Sequence, residues 1–96
     1  MSDLDVLRHR EGSKGRYYIQ HTSGESDLTY SVMSAKLVIA DHTAVAEGFE
    51  GQGVGLVLLR EFIADARREG FKIVPLCPFV NAQRRKHPEW ADVFSV

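Results

Sequence analysis

The segment Glu50-Gly51-Gln52-Gly53-Val54-Gly55 joins an apolar run at residues 36–42 to a long amphipathic stretch. Glycines allow positive φ angles and leave no Cβ beside the backbone, so successive N–H groups of such a turn can converge on an anion. A helix that starts there adds the positive end of its dipole. The spacing alone is typical of a plain tight turn as well as of an anion-binding turn, and the flanking sequence has to distinguish the two.

Upstream of this turn, β-forming residues and period-two alternation predict an antiparallel meander of three strands. These strands are expected at residues 17–21, 28–33 and 36–42. The segment before them is mostly polar, with Leu4, Val6 and Leu7 as candidate strand contacts. We therefore expect regular structure to begin near Arg16 and residues 1–14 to be poorly ordered.

Downstream of the turn, the apolar period changes to that of a helix, and Gly70 is the expected left-handed stop. Residues 71–74 then predict a buried strand, which makes a βαβ unit with two parallel strands and a right-handed crossover. Pro75 cannot donate to a ladder, so it marks either the end of an edge strand or a gap between splayed strands. A short helix follows from Pro78. Trp90, Val93 and Phe94 are expected to pack back onto the sheet. The fold class is α/β (α+β).

Composition narrows the class of protein. The chain has 96 residues, 44% of them apolar and 26% charged, which predicts a single globular domain over residues 1–96. A net charge of -1 gives no overall attraction to nucleic acid or to an anionic membrane. The one cysteine cannot form an internal disulfide, and we recognise no signal peptide or membrane span, so the cytoplasm is the expected compartment. The histidines show no metal-ligand spacing, so no metal site is expected.

Two side chains at strand ends are candidates for chemistry. Cys77 lies at the N-terminus of the last helix, where the dipole favours a thiolate, although a free cysteine is also a common core residue. His42 ends the strand before the glycine turn and could act as acid or base, or serve as a hydrogen-bonded structural residue. The basic run at residues 84–87 is typical of a solvated helix face, but it could also contact the phosphates of a ligand or of an RNA backbone.

Four segments together resemble a family. They are His42-Thr43-Ala44-Val45, Gly51-Gln52-Gly53-Val54-Gly55, Pro75-Leu76-Cys77-Pro78-Phe79 and His87-Pro88-Glu89-Trp90. In residue type and spacing they are similar to the short, stand-alone GCN5-related N-acetyltransferases. The likeness extends from about Gly15 to Trp90.

The resemblance implies that the co-substrate is acetyl-CoA. Its pyrophosphate would lie on the backbone N–H groups of Gln52, Gly53, Val54 and Gly55, beside Gly51. Its pantetheine arm would pair like a strand with the segment Thr43-Ala44-Val45, and its thioester would point into the crevice near Cys77 and His42. The acceptor would be an amine, and because larger relatives carry N-terminal helices over the acceptor, an open site suited to a protein lysine is expected.

The chain also departs from the wider superfamily. Glu50 stands where arginine or glutamine is usual, and Asn81, Ala82 and Gln83 offer no counterpart to the usual tyrosine acid. Cys77 is therefore the preferred catalytic candidate, as proton carrier or as acetyl-accepting nucleophile, with His42 as the alternative base. A non-catalytic acyl-CoA-binding or sensing module is the alternative function. An RNA-binding domain is disfavoured by the net charge and by the lack of an aromatic stacking motif.

Overall fold

The computed structural model describes residues 5–96, and Leu4 lies outside them. Five strands form one mixed sheet whose order follows the chain. They are β1 (Leu7–Glu11), β2 (Lys14–His21), β3 (Gly24–Ser34), β4 (Leu37–Ala44) and β5 (Lys72–Val74). Strands β1 to β4 are antiparallel and β5 is parallel to β4. The predicted meander and parallel pair are confirmed.

Regular structure was expected to begin near Arg16, but strand β1 lies upstream of that residue. All five of its residues are exposed, so no apolar alternation announces it. It pairs with β2 from Leu7 opposite Tyr18 to Glu11 opposite Lys14. Its backbone pairing and its charged side chains, rather than apolar burial, define it as an edge strand.

The glycine turn is followed by helix α1 (Val54–Glu69), which packs on one face of the sheet. Its buried apolar stripe contacts strand residues that we call the helix face: Tyr17, Ile19, Leu28, Val38, Ala40 and Ile73. We call the opposite side the open face, because apart from Ser31 its residues on β2, β3 and β4 are exposed or half-buried. Gly70, with φ 79°, ends α1 in the left-handed conformation, and its N–H donates to the carbonyl of Ala66. This is the predicted stop.

The C-terminal segment closes the far side of β5. Helix α2 (Pro78–Lys86) leads into a short 3-10 helix (Pro88–Val93). Trp90 and Val93 are buried in the core, and Phe94 forms a parallel bridge with Ile73. The expectation that these three residues pack back onto the sheet is confirmed.

Helix α1 places a carboxylate in the core. Asp65 on α1 is 3% exposed and accepts hydrogen bonds from Tyr17 Oη at 2.7 Å, Arg8 Nε at 2.9 Å and Arg68 Nη2 at 2.5 Å. Burial raises the pKa of Asp65, but these donors outweigh burial and hold the pKa below its usual value. Burial, together with the bond to this carboxylate, raises the pKa of Tyr17. The cluster fastens β1 and β2 to α1.

Candidate functional site

The glycine turn presents backbone donors at the start of α1. Gly51 and Gly53 adopt φ angles of 78° and 79°, which only glycine reaches without strain. Gly53 caps the helix without a side-chain hydrogen bond, and the first intrahelical bond runs from the N–H of Val57 to the carbonyl of Gly53 at 3.1 Å. The N–H groups of Val54, Gly55 and Leu56 therefore have no intrahelical acceptor. Three amides at the positive end of a helix suit an anion.

The other polar groups of the turn fold back onto it. The N–H of Gln52 donates to the carbonyl of Phe49 at 3.4 Å, and its side-chain Nε2 donates to the carbonyl of Gly48 at 3.1 Å. Glu50 accepts from the N–H of Gly48 at 3.0 Å. In this structure Gln52 braces the turn, and Leu56, which the sequence did not single out, offers an N–H instead.

A β-bulge changes which face of the sheet the last side chains of β4 lie on. Ala40 pairs with Tyr30 while His42 pairs with Thr29, so Asp41 is an extra residue. Ala40 therefore shares the helix face with Thr43 instead of with His42. Along an antiparallel strand, the backbone N–H and C=O groups of successive paired residues point alternately toward one neighbouring strand and toward the other. Those of Ala40 point toward β5, because its carbonyl accepts the N–H of Cys77 at 2.8 Å. Two pairs further on, the N–H and C=O of Thr43 face the same way, beyond the last residue of β5.

Cys77 lies beside this free edge. It is 2% exposed, caps α2 ahead of Pro78, and has its Sγ 3.3 Å from Oγ1 of Thr43. The thiol is thus packed in the core on one side and in contact with the free edge of β4 on the other. The gap proposed at Pro75 is present, because pairing of β4 with β5 ends at Val74 and only the Cys77 bond follows it.

These elements enclose a cleft of about 280 Å³. Six of its lining residues were predicted from the sequence to bind the cofactor: Thr43, Val45, Gly51, Gly53, Val54 and Gly55. Four others were not: Phe49, Leu56, Phe79 and Gln83. A Cβ on Gly55 would lie 2.9 Å from Cζ of Phe79, so that glycine makes room for the aromatic wall. Phe49 is held by stacking on His21, with ring centroids 3.9 Å apart. The cleft joins a strand edge to a helix N-terminus, a shape suited to an extended ligand that ends in phosphates.

The sequence profile of the GCN5-related N-acetyl-transferase family matches residues 16–93. The chain belongs to this family. It is also similar to the NMR solution structure of a protein from Staphylococcus aureus named as a "GCN5-like putative N-acetyltransferase". The TM-score is 0.71 and the identity 27%, over 99% of this chain and 91% of the other. No curated protein sequence matches this chain.

Membership in the family supports acetyl transfer in general terms, and acetyl-CoA is the co-substrate typical of the family. The cleft fits that molecule on its own chemistry, because outward strand amides complement the amides of pantetheine and the α1 amides complement a pyrophosphate. Within residues 5–96, no helix has the length and apolar character needed to span a membrane. Among the same residues, His, Cys, Asp and Glu form no cluster of three or more that could hold a metal ion.

His42 and Cys77 are not brought together on one face. His42 is exposed, and because of the bulge it lies on the open face with Thr29, whereas Cys77 lies on the helix face with Thr43. The two candidates therefore approach the end of the parallel pair from opposite sides. Ala44 is exposed, pairs with Asp27 of β3 and does not line the cleft, so the alternation turns its backbone groups toward β3 and leaves those of Thr43 and Val45 for the free edge.

The basic run at 84–87 is partly engaged within the chain. Arg84 Nε donates to Oδ1 of Asn81 at 2.8 Å, and the ring of His87 stacks on Trp90 with centroids 4.0 Å apart. Arg85 and Lys86 are exposed. Of the four residues in the run, these two are therefore the ones most accessible to a ligand.

Proposed function

We propose that this chain is an acetyl-CoA-dependent N-acetyltransferase that transfers an acetyl group to a primary amine, such as a protein lysine. The observation that carries the proposal is a cleft in which the free edge of β4 meets the N-terminus of α1, whose amides no side chain caps. The buried thiol of Cys77 does not line this cleft itself, but it contacts Oγ1 of the lining residue Thr43. Since the only cysteine has no disulfide partner in the chain, we place this activity in the reducing cytoplasm.

In this proposal the pyrophosphate lies on the N–H groups at the start of the helix, from Gly53 and Val54 to Gly55 and Leu56. Gln52, whose N–H donates to the carbonyl of Phe49, holds the turn in shape. No cationic side chain lines the cleft among the described residues, so backbone amides and the helix dipole supply the attraction.

The pantetheine arm lies along the segment Thr43-Ala44-Val45 and pairs with the outward backbone groups of Thr43 and Val45, while Ala44 stays paired with Asp27 of β3. Phe49 and Phe79 contribute apolar rings to the lining of the cleft. Such rings exclude water, which strengthens the hydrogen bonds made inside the cleft. N–H groups near Val45 are the proposed donors to the thioester oxygen, where negative charge develops during attack.

Transfer also requires a neutral amine and a proton for the departing thiolate. A lysine amine has a reference pKa of about 10.4, so it is mostly protonated at neutral pH and must lose a proton first. Cys77 is the proposed catalytic thiol, either carrying a proton or taking the acetyl group before passing it on. Its contact with Oγ1 of Thr43 links it to the edge on which the pantetheine would lie.

A thermal-shift experiment tests the binding step. Acetyl-CoA at about 100 times its Kd should stabilise the fold by roughly 2.7 kcal/mol, which for a domain of this size raises Tm by about 10–20 °C. CoA should act similarly, and ATP should have less effect because it lacks the pantetheine arm. Absence of any shift with millimolar acetyl-CoA would reject the proposal.

The burial of Cys77 favours a second candidate, a non-catalytic acyl-CoA-binding module. Release of CoA from acetyl-CoA in the presence of lysine peptides separates the two functions. For an enzyme, Cys77→Ala should lose most turnover while acetyl-CoA affinity stays near that of the wild type. Binding without any CoA release by the wild type would support the module, and unchanged turnover of the variant would remove Cys77 from the mechanism.

A further inference from the structure

The bulge in β4 places an aspartate on the open face, next to the gap between β4 and β5. Asp41 is half-buried and directly follows Ala40, whose carbonyl makes the last backbone bond toward Cys77. Thr43, two residues on, faces the cleft on the other side of the sheet. Asp41 thus places a carboxylate on the open face directly before the free edge of β4.

The hydroxyl of Ser31 links Asp41 to an ammonium group of the chain itself. Oγ of Ser31 donates to Oδ2 of Asp41 at 2.6 Å, and Nζ of Lys14 donates to the same Oγ at 2.6 Å. Ser31 is 8% exposed, so this hydroxyl is fixed within the sheet surface. Oδ1 of Asp41 receives no hydrogen bond from any residue between 5 and 96. One oxygen is therefore held in place and the other is available to a ligand.

Asp41 opens into a hollow of about 450 Å³ on the open face. The charged groups around it are Lys14, Arg16, His9 and Glu11, and His42 follows Asp41 on the same face. Arg16 is engaged by Glu25 at 2.8 Å and Asp27 at 3.4 Å, and His9 faces Glu11 at 3.6 Å. Among these groups Asp41 is the carboxylate nearest the gap. The resident ammonium of Lys14 shows which chemical class the hollow accommodates, a primary ammonium on a flexible aliphatic chain.

We propose that this hollow is the acceptor site and that Asp41 is a catalytic residue, which binds the acceptor ammonium and takes its proton. The inference rests on the proposed acetyl transfer. One proton passes from the ammonium to Asp41 and then to solvent. The neutral nitrogen bonds to the acetyl carbon, the carbon–sulfur bond breaks, and the thiolate takes the second proton that leaves the nitrogen. The products are an amide, CoA and one released proton.

The test measures initial rates with acetyl-CoA and a lysine-containing peptide. Asp41→Asn should lower kcat/KM by about 100-fold, because general-base catalysis contributes on that scale. Its affinity for acetyl-CoA should stay unchanged, since Asp41 lies on the other face of the sheet from the cleft. The control is Asp27→Asn, a half-buried aspartate on the open face that bonds Arg16 and does not line the hollow. Equal turnover of Asp41→Asn and wild type would overturn the assignment.

Lys14→Met provides a second measurement if Asp41→Asn does not fold. Removing the resident ammonium should lower the KM of the peptide about threefold, because the acceptor no longer competes with Lys14 for Ser31, the residue that bonds Asp41. An unchanged or higher KM would overturn the proposal. A wild-type protein that fails to bind acetyl-CoA would instead reject the proposed function, so the two failures are distinguishable.

Discussion

Replacing Gly53 should weaken acetyl-CoA binding, whereas the matching replacement of Gly70 should not. The two glycines flank the same helix, both with φ 79°, and a Cβ built on either meets no atom within 4 Å. Alanine at either position therefore introduces backbone strain and no steric overlap. The left-handed conformation costs a non-glycine residue about 1–2 kcal/mol.

The same energy sets the size of both effects. Gly70→Ala should lose about 1–2 kcal/mol of folding free energy, a fall in Tm of about 4–16 °C, and Gly53→Ala should lose no more than that. In Gly53→Ala the free protein relieves the strain by turning the N–H groups of the helix start, and binding must restore their original directions. The Kd for acetyl-CoA should therefore rise by up to about 5–30-fold.

Isothermal titration of acetyl-CoA into wild type, Gly53→Ala and Gly70→Ala, with Tm measured for each, separates binding from stability. An unaltered Kd for Gly53→Ala despite a lowered Tm would refute the role of the helix start. An equal rise in Kd for Gly70→Ala would refute it as well, because general destabilisation would then explain the loss.

Two further predictions concern the core and the cleft wall. Asp65→Asn should lower the free energy of unfolding by about 1–3 kcal/mol at pH 7 in urea titrations, because buried donors lose a charged acceptor. Since the folded pKa of Asp65 is lowered, its contribution is present above its unfolded pKa of about 3.9 and is lost as pH falls through the folded pKa. A difference between variant and wild type that stays constant from neutral to acidic pH would contradict this. Gly55→Ala should push Phe79 into the cleft and weaken acetyl-CoA binding measured by titration, and adding Phe79→Ala should recover part of the affinity; no recovery would argue against this packing.

Much of the fold could be predicted because local signals agreed with one another. The helical stripe after Gly53, the stop at Gly70 and the non-donating Pro75 each favour the same βαβ unit. The edge strand β1 was missed because every one of its side chains is exposed, which leaves no alternation in the sequence.

The face of His42 could not be predicted either. Alternation from Val38 and Ala40 would place His42 on the helix face beside Cys77, but the bulge at Asp41 shifts the pattern by one residue. The wall residues Phe49 and Phe79 carry no periodic signal, because they lie in a loop and a first helical turn. Their place in the cleft depends on long-range packing against His21 and Gly55.

The bulge also separates the aspartate from the facing of the residues around it. Loss of the residue at position 41 would restore plain alternation, with Ala40 and Thr43 still on the helix face and His42 still on the open face. A deletion of one codon in β4 could therefore remove a carboxylate from the open face while the side chains presented to the acyl donor stay where they are. The rest of the scaffold would keep its pairing.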